Sequence, residues 1–188
     1  MSTELFASFD QVYALQGDAR AALLANVTEQ TFAKNELIQA IGSRCRTIYF
    51  VKSGAARIFY YKDGTDITEH FAFENDLIVR VESLFTAQPT AKGIQAIDNT
   101  VLLAIDARSL FELYDQYHAI ERLFRLLFER EHVTTVKRIE SLQFKSAKER
   151  YNDLMATTDY VQKIPLKYVA SYLGVTQVTL SRIRAERR

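Results

Sequence analysis

Gln177, Val178, Ser181, Arg182 and Arg184 fall in one short stretch whose chemistry suits the edges and backbone of a nucleic acid. An arginine fork matches O6 and N7 of guanine, a glutamine amide matches N6 and N7 of adenine, and a valine offers apolar contact to a thymine methyl. Gln177, Val178 and Arg182 are therefore the candidates for base contact. Thr176, Thr179, Ser181, Arg184 and Lys167 supply hydroxyls and cations of the kind that hold phosphates, which position a protein without reading sequence.

Two helices must position these groups. Val169, Ala170 and Leu173 recur at helical spacing, just after Pro165, which suits a helix start because its missing N–H has no intrahelical partner there. Gly174 predicts the stop, since glycine enters the left-handed region without a Cβ penalty. Thr176 predicts the cap of a second helix, with Leu180 and Ile183 inward. The small Ala170 lets the two helices cross closely. This is a helix-turn-helix pattern, whose second helix enters the DNA major groove. An ordinary helical hairpin shares the apolar faces and the glycine. The basic and amide-bearing outward residues, with Arg187 and Arg188 beyond, separate the two readings.

Elsewhere the reactive residue types are scattered. Cys45 is the single cysteine, which excludes an intramolecular disulfide and argues against cysteine-ligated zinc or iron–sulfur. Glu69-His70 is isolated, and His118 and His132 lie in helical sequence, so the clustered ligands of a cupin-like metalloenzyme are missing. His70 reads as a structural residue ahead of a metal or haem ligand. No nucleophile–base pair or phosphate loop is visible, and no catalytic residue, metal or cofactor is assigned. No run of about eighteen apolar residues predicts a membrane span. The opening MSTELFASFD lacks the basic start and apolar stretch of a secretory signal, so a cytoplasmic location is expected.

The charge is divided unequally. Residues 1–117 carry 10 Lys/Arg against 15 Asp/Glu, and residues 118–188 carry 14 against 8. A basic C-terminal part on an acidic N-terminal part suits a nucleic-acid-binding end joined to a sensing domain. Two short helices are expected at Leu5 to Tyr13 and Asp18 to Val27. From Phe32 the texture turns to short β-branched and aromatic runs: Leu37-Ile38, Thr47 to Val51, Ala56 to Tyr61, Thr65 to Phe73, Leu77 to Val79, Gly93 to Ala96 and Val101 to Ile105. Glycines punctuate them, and Asp63-Gly64 is a strong hairpin signal. Such a series predicts a sandwich or barrel. After Asp106 the pattern is helical: Ser109 to Tyr117, then Ala119 to Leu142, then Ser146 to Met155. The long central helix carries Ile120, Leu123, Leu126, Leu127, Val133, Val136, Ile139 and Leu142 on its apolar side, more than one small domain usually covers. It is a dimerisation candidate, although Arg130 and Lys137 interrupt any strict heptad seam. Burial against its own β domain is the competing reading.

A β-rich domain, a long helix and a helix-turn-helix, in that order, resemble the Crp/Fnr family of bacterial transcription regulators. Ile48 to Ile58, with Ser53-Gly54 at its centre, resembles the family's strand–turn–strand. Tyr60 to Gly64 is similar to the following hairpin, and Thr179 to Arg184, TLSRIR, to the recognition helix. The family's wing strands are not evident in the residues up to Arg188. The resemblance implies an α+β chain: an N-terminal β jelly roll of cyclic-nucleotide-binding type over 1–117, a dimerisation helix over 118–144 and a DNA-binding domain over 145–188. It also implies a homodimer bound to double-stranded DNA.

In family members that bind cyclic AMP, a Gly-Glu pair takes the ribose and an arginine takes the phosphate. Aligned on Leu84-Phe85, the Gly-Glu positions fall at Arg80 and Val81, with Glu82 one place along. The arginine position falls near Thr90 or Ala91, with Lys92 the nearest cation. The expectation is a sensory domain that does not bind cyclic AMP. Another small molecule, or no ligand at all, is expected in its place; Arg80, Glu82, Ser83 and Lys92 are the candidate pocket residues, with exposed charges or local salt bridges as the favoured reading of the charged ones. A ligand-binding or scaffold protein with a vestigial helix-turn-helix is the alternative function, and a metalloenzyme the weaker one.

Overall fold

A computed structural model describes residues 9–186. After α1 (Gly17–Ala25) come β1 (Val27–Phe32), β2 (Leu37–Gln39), β3 (Thr47–Ser53), β4 (Ala56–Lys62), β5 (Thr65–Ala72) and β6 (Leu77–Ile78). A short α2 (Val81–Thr86) interrupts the strands before β7 (Gly93–Ala96) and β8 (Thr100–Asp106). All pairings are antiparallel, in two four-stranded sheets ordered β1-β8-β3-β6 and β2-β7-β4-β5. This is the expected jelly roll.

Strand alternation explains why β3 and β8 read as almost continuous apolar runs. Tyr49, Val51, Leu102 and Ala104 point between the sheets, where they meet Ile58 and Ile94. Ile48, Phe50, Leu103 and Ile105 point the other way, into a second core formed with the helices. The turns follow the sequence signals. Asp63 and Gly64 both take positive φ, 51° and 76°, the geometry of a tight hairpin between Lys62 and Thr65. Gly54 has φ +88°, and a Cβ there would lie 2.5 Å from the Asn99 carbonyl oxygen, so a side chain cannot be accommodated.

One strand departs from expectation. The apparent helix ends at Ala25, and Val27–Phe32 pairs along its whole length with β8. Its sequence, VTEQTF, has an exposed middle of four residues because β1 is a sheet edge. Backbone pairing holds its middle, and only Val27 and Phe32 at its two ends pack against the cores. The expected first helix is described only from Phe9, so Leu5 to Ser8 lie outside the described residues, as do Arg187 and Arg188.

The helical part comprises α3 (Ala107–Gln116), α4 (His118–Phe144), α5 (Ala147–Thr157), a 3₁₀ turn (Asp159–Lys163), α6 (Leu166–Tyr172) and α7 (Gln177–Ala185). Asp106 caps α3 through its carboxylate, and Ser146 with Glu149 forms a full capping box on α5. The 27-residue α4 is the spine. Its first three turns bury Ile120, Leu123 and Phe124, and the Phe124 ring packs edge-on against Phe9 and Phe50. Its second half leaves Val133, Val136, Ile139 and Leu142 between 41% and 52% exposed. The C-terminal helices gather Tyr151, Leu154, Val169, Leu173, Leu180 and Ile183 into a core that also takes in Ala55, Phe71 and Ile97 of the jelly roll.

Candidate nucleic-acid interface and effector cleft

The turn between α6 and α7 is built as its residues dictate. Gly174 adopts φ +67°, the Val175 N–H donates to the Ala170 carbonyl, and the Gly174 N–H donates to the Ser171 carbonyl. This double closure is a Schellman motif, and it satisfies the last carbonyls of α6. Thr176 then caps α7, its hydroxyl accepting the Thr179 N–H at 3.1 Å and lying 3.0 Å from the Thr179 hydroxyl. Leu180 is fully buried and Ile183 nearly so, which fixes the roll of α7. Gln177, Val178, Ser181 and Arg182 are brought together on the outer face, with Arg184 exposed at its flank. Val178 is 62% exposed. Ala185, exposed on the same face at helical spacing from Val178 and Ser181, was not singled out by the sequence. Lys167, exposed on α6, holds its ammonium 4.8 Å from the centre of the Tyr168 ring.

A junction that the sequence reading missed ties this helical unit to the jelly roll. Arg57, in β4, is 1% exposed and forks onto Asp66, its Nη2 donating to Oδ2 at 2.7 Å. It also donates to Thr68 and Gln95. Its guanidinium lies 4.5 Å from the Phe59 ring and 3.6 Å from that of Tyr168 in α6. The Ser171 hydroxyl accepts the Thr68 N–H at 3.0 Å, and the Tyr160 hydroxyl donates to Asp98 at 2.9 Å. From α4, Arg138 donates to the Tyr172 carbonyl at 2.9 Å and stacks on the Tyr172 ring at 3.7 Å. The available signal was a charged residue inside the apolar run Ala56 to Tyr61, a position that must be paired if it is buried.

A cleft of about 470 Å³ separates the jelly roll from the second half of α4. Arg80, Glu82 and Lys92 are brought together at it, with Glu69, Phe128 and Glu131. Ser83 does not. It lies on the inner side of α2, where its hydroxyl accepts the Cys45 N–H at 2.9 Å and donates to the Gln88 carbonyl, so it supports the fold and not the cleft. Arg80 is 2% exposed. It donates from Nε to Gln39 at 2.8 Å, from Nη1 to the carbonyls of Ala40 and Lys92, and from Nη2 to Ser43. The Lys92 ammonium is 2.6 Å from Glu69. His70 also lines the cleft. Burial holds its imidazole neutral, with a pKa lowered to about 4, and the neighbouring charge of Arg138 acts in the same direction. Cys45 is buried in the core. Among the described residues, no group of three or more His, Cys, Asp or Glu is placed to hold a metal ion, and no helix is long and apolar enough to cross a membrane.

The cyclic nucleotide-binding domain family matches residues 29–117. No curated protein matches the sequence. Among solved structures, FixK2 from Bradyrhizobium japonicum is 21% identical with a TM-score of 0.72, over 85% of this chain and 83% of that one. A transcriptional regulator of the Crp/Fnr family from Eubacterium rectale is 20% identical with a TM-score of 0.72, over 95% and 85%. CLP from Xanthomonas campestris, a global regulator responsive to cyclic di-GMP, is 13% identical with a TM-score of 0.69, over 89% of each chain. Residues 29–117 are therefore similar to the cyclic nucleotide-binding domain family, and the chain shares the fold of these solved regulator structures.

Proposed function

We propose that this chain is a homodimeric, DNA-binding transcription regulator of Crp/Fnr type whose sensory domain responds to a small molecule other than cyclic AMP. The observation that carries the reading is α7. It is a capped helix anchored by Leu180 and Ile183, with Gln177, Val178, Ser181 and Arg182 displayed on its open face. Gln177, Val178 and Arg182 read bases. Thr176, Thr179, Ser181, Arg184 and Lys167 hold phosphates. Residues 1–117 sense, 118–144 dimerise and 145–188 bind DNA in the cytoplasm. The open face of α4 supports the dimer: at 3.6 residues per turn, Leu126, Val133 and Val136 lie about half a turn from Glu131 and Arg138, which face the cleft. The commitment of Arg80 to Gln39, Ser43 and two carbonyls supports the exclusion of a cyclic phosphate, since that guanidinium fork is already spent on protein groups.

The test is a salt series on two variants. Arg182→Ala should cost about 1–3 kcal/mol against the preferred site and relax specificity at one base pair. Lys167→Ala should weaken all sequences nearly equally and reduce the salt slope by about one ion. If Arg182→Ala changes nothing, α7 does not enter the groove and the reading fails. Cyclic AMP at a hundred times a genuine dissociation constant would stabilise the protein by about 2.7 kcal/mol, so a clear melting shift would overturn the effector part alone.

A further inference from the structure

The charges around the cleft are unequally committed. Its cations are engaged: Arg80 makes four hydrogen bonds to protein groups, Lys92 pairs with Glu69 at 2.6 Å, and Arg138 is turned to the carbonyl and ring of Tyr172. Two carboxylates are not. Among the described residues, the side chains of Glu131 and Glu82 have neither an ion-pair nor a hydrogen-bond partner. Glu82 is exposed at the rim, whereas Glu131 is half-buried in the wall. Desolvation raises the pKa of Glu131 above the usual carboxylate range, the charge of Asp76 raises it further, and Arg130 only partly opposes them. A carboxylate in that position gains from a cation brought to it. The remaining wall is mostly apolar, with Val79, Phe85, Phe128, Ile139 and Leu142 beside His70, His132, Thr90 and Thr135, and the Phe85 and Phe128 rings are 5.4 Å apart. The volume lies within the range of small-molecule sites.

We propose that the cleft takes a small amphipathic cation, an aromatic or branched apolar body bearing one protonated amine or guanidine that is seated on the Glu131 carboxylate. This rests on the reading of the cleft as the effector site and inverts the charge of a cyclic phosphate. An anion would meet Glu131 and Glu82, and to find a cation it would have to draw Lys92 from Glu69 or turn Arg138 from Tyr172. A ligand cation beside Phe85 and Phe128 also gains from their ring faces.

The experiment uses the full chain and three probes: 4-phenylbutylamine, 4-phenylbutyrate and cyclic AMP, each followed by melting temperature and calorimetric titration. The amine should raise the melting temperature in a saturable way, and the two anions should not. Glu131→Gln, which keeps the shape, should weaken amine binding by at least about tenfold, the lower bound for losing a charged hydrogen bond. Ile139→Trp, which fills the cleft, should abolish it. The proposal is overturned if an anion shifts the melting temperature and the amine does not, if the amine is silent at millimolar concentration, if Glu131→Gln weakens amine binding by less than about tenfold, or if amine binding survives Ile139→Trp. DNA affinity measured on the same samples separates this result from the proposed function: DNA binding without amine binding ends the ligand assignment and leaves the regulator intact.

Discussion

From His118 to Phe128, α4 lies against its own domain, with Ile120, Leu123 and Phe124 fully buried among Phe9, Phe50 and Tyr114. From Glu129 to Phe144 the same helix, with comparable apolar spacing, leaves Val133, Val136, Ile139 and Leu142 exposed. The difference lies in what stands opposite. The first half has a rigid aromatic floor. The second half has a cleft on one side, lined by Ile139 and Leu142, and an open face at Val133 and Val136 that none of the described residues covers. Periodicity reports that a helix face is apolar, and it does not report which body covers it.

The largest effect should separate the two halves directly. Phe124→Ala removes a buried ring and should cost about 3–5 kcal/mol in denaturant melts, whereas Val133→Ala should leave protomer stability within about 0.5 kcal/mol. Equal losses would break the contrast. Next is His70, at the cleft with Arg138, Glu131 and Glu69 around it. Its folded pKa of about 4 lies below the ordinary 6.5, so the unfolded chain takes up the proton first. Stability is complete above pH 6.5 and falls as pH drops toward 4, by roughly 3 kcal/mol in all at about 1.4 kcal/mol per unit. His70→Gln should flatten that part of the pH profile of the melting temperature, and an unchanged profile would place the proton elsewhere. Smaller again is Tyr168→Leu, which keeps the apolar contact but removes the ring 3.6 Å from Arg57. A loss of about 1–2 kcal/mol is expected by chemical denaturation. Smallest for the fold and decisive for assembly is Leu126→Asp with Val133→Asp. Circular dichroism should be unchanged, while light scattering should report monomers in place of wild-type dimers. A monomeric wild type at micromolar concentration would remove the partner assigned to the open half.

The strands and the two C-terminal helices with their glycine turn were legible because local chemistry fixes them. Asp63-Gly64, Gly54 and Gly174 all adopt the positive φ that their turns require, and Thr176 caps the helix it precedes. The edge strand β1 was hidden because an edge needs no apolar face. The cleft was legible only in part. Arg80 and Lys92 are there, but a sequence cannot say whether a guanidinium faces a ligand or its own backbone, and Arg80 does the latter. Ser83 looks inward because α2 turns it toward Cys45. Arg57 and Glu131 owe their importance to neighbours distant in sequence: Arg57 to Tyr168 in α6, and Glu131 to a cleft wall supplied by β6, α2 and the residues around them.

The central claim is that α7 reads DNA as one of a two-fold pair, and selection of bound duplexes from a random pool tests it most directly. The expected product is a two-fold symmetric sequence with half-sites one helical turn apart, about 34–36 Å, whose enrichment disappears for Arg182→Ala. A pool that is not enriched by the wild-type protein, or a product without symmetry that Arg182→Ala selects equally well, would contradict it.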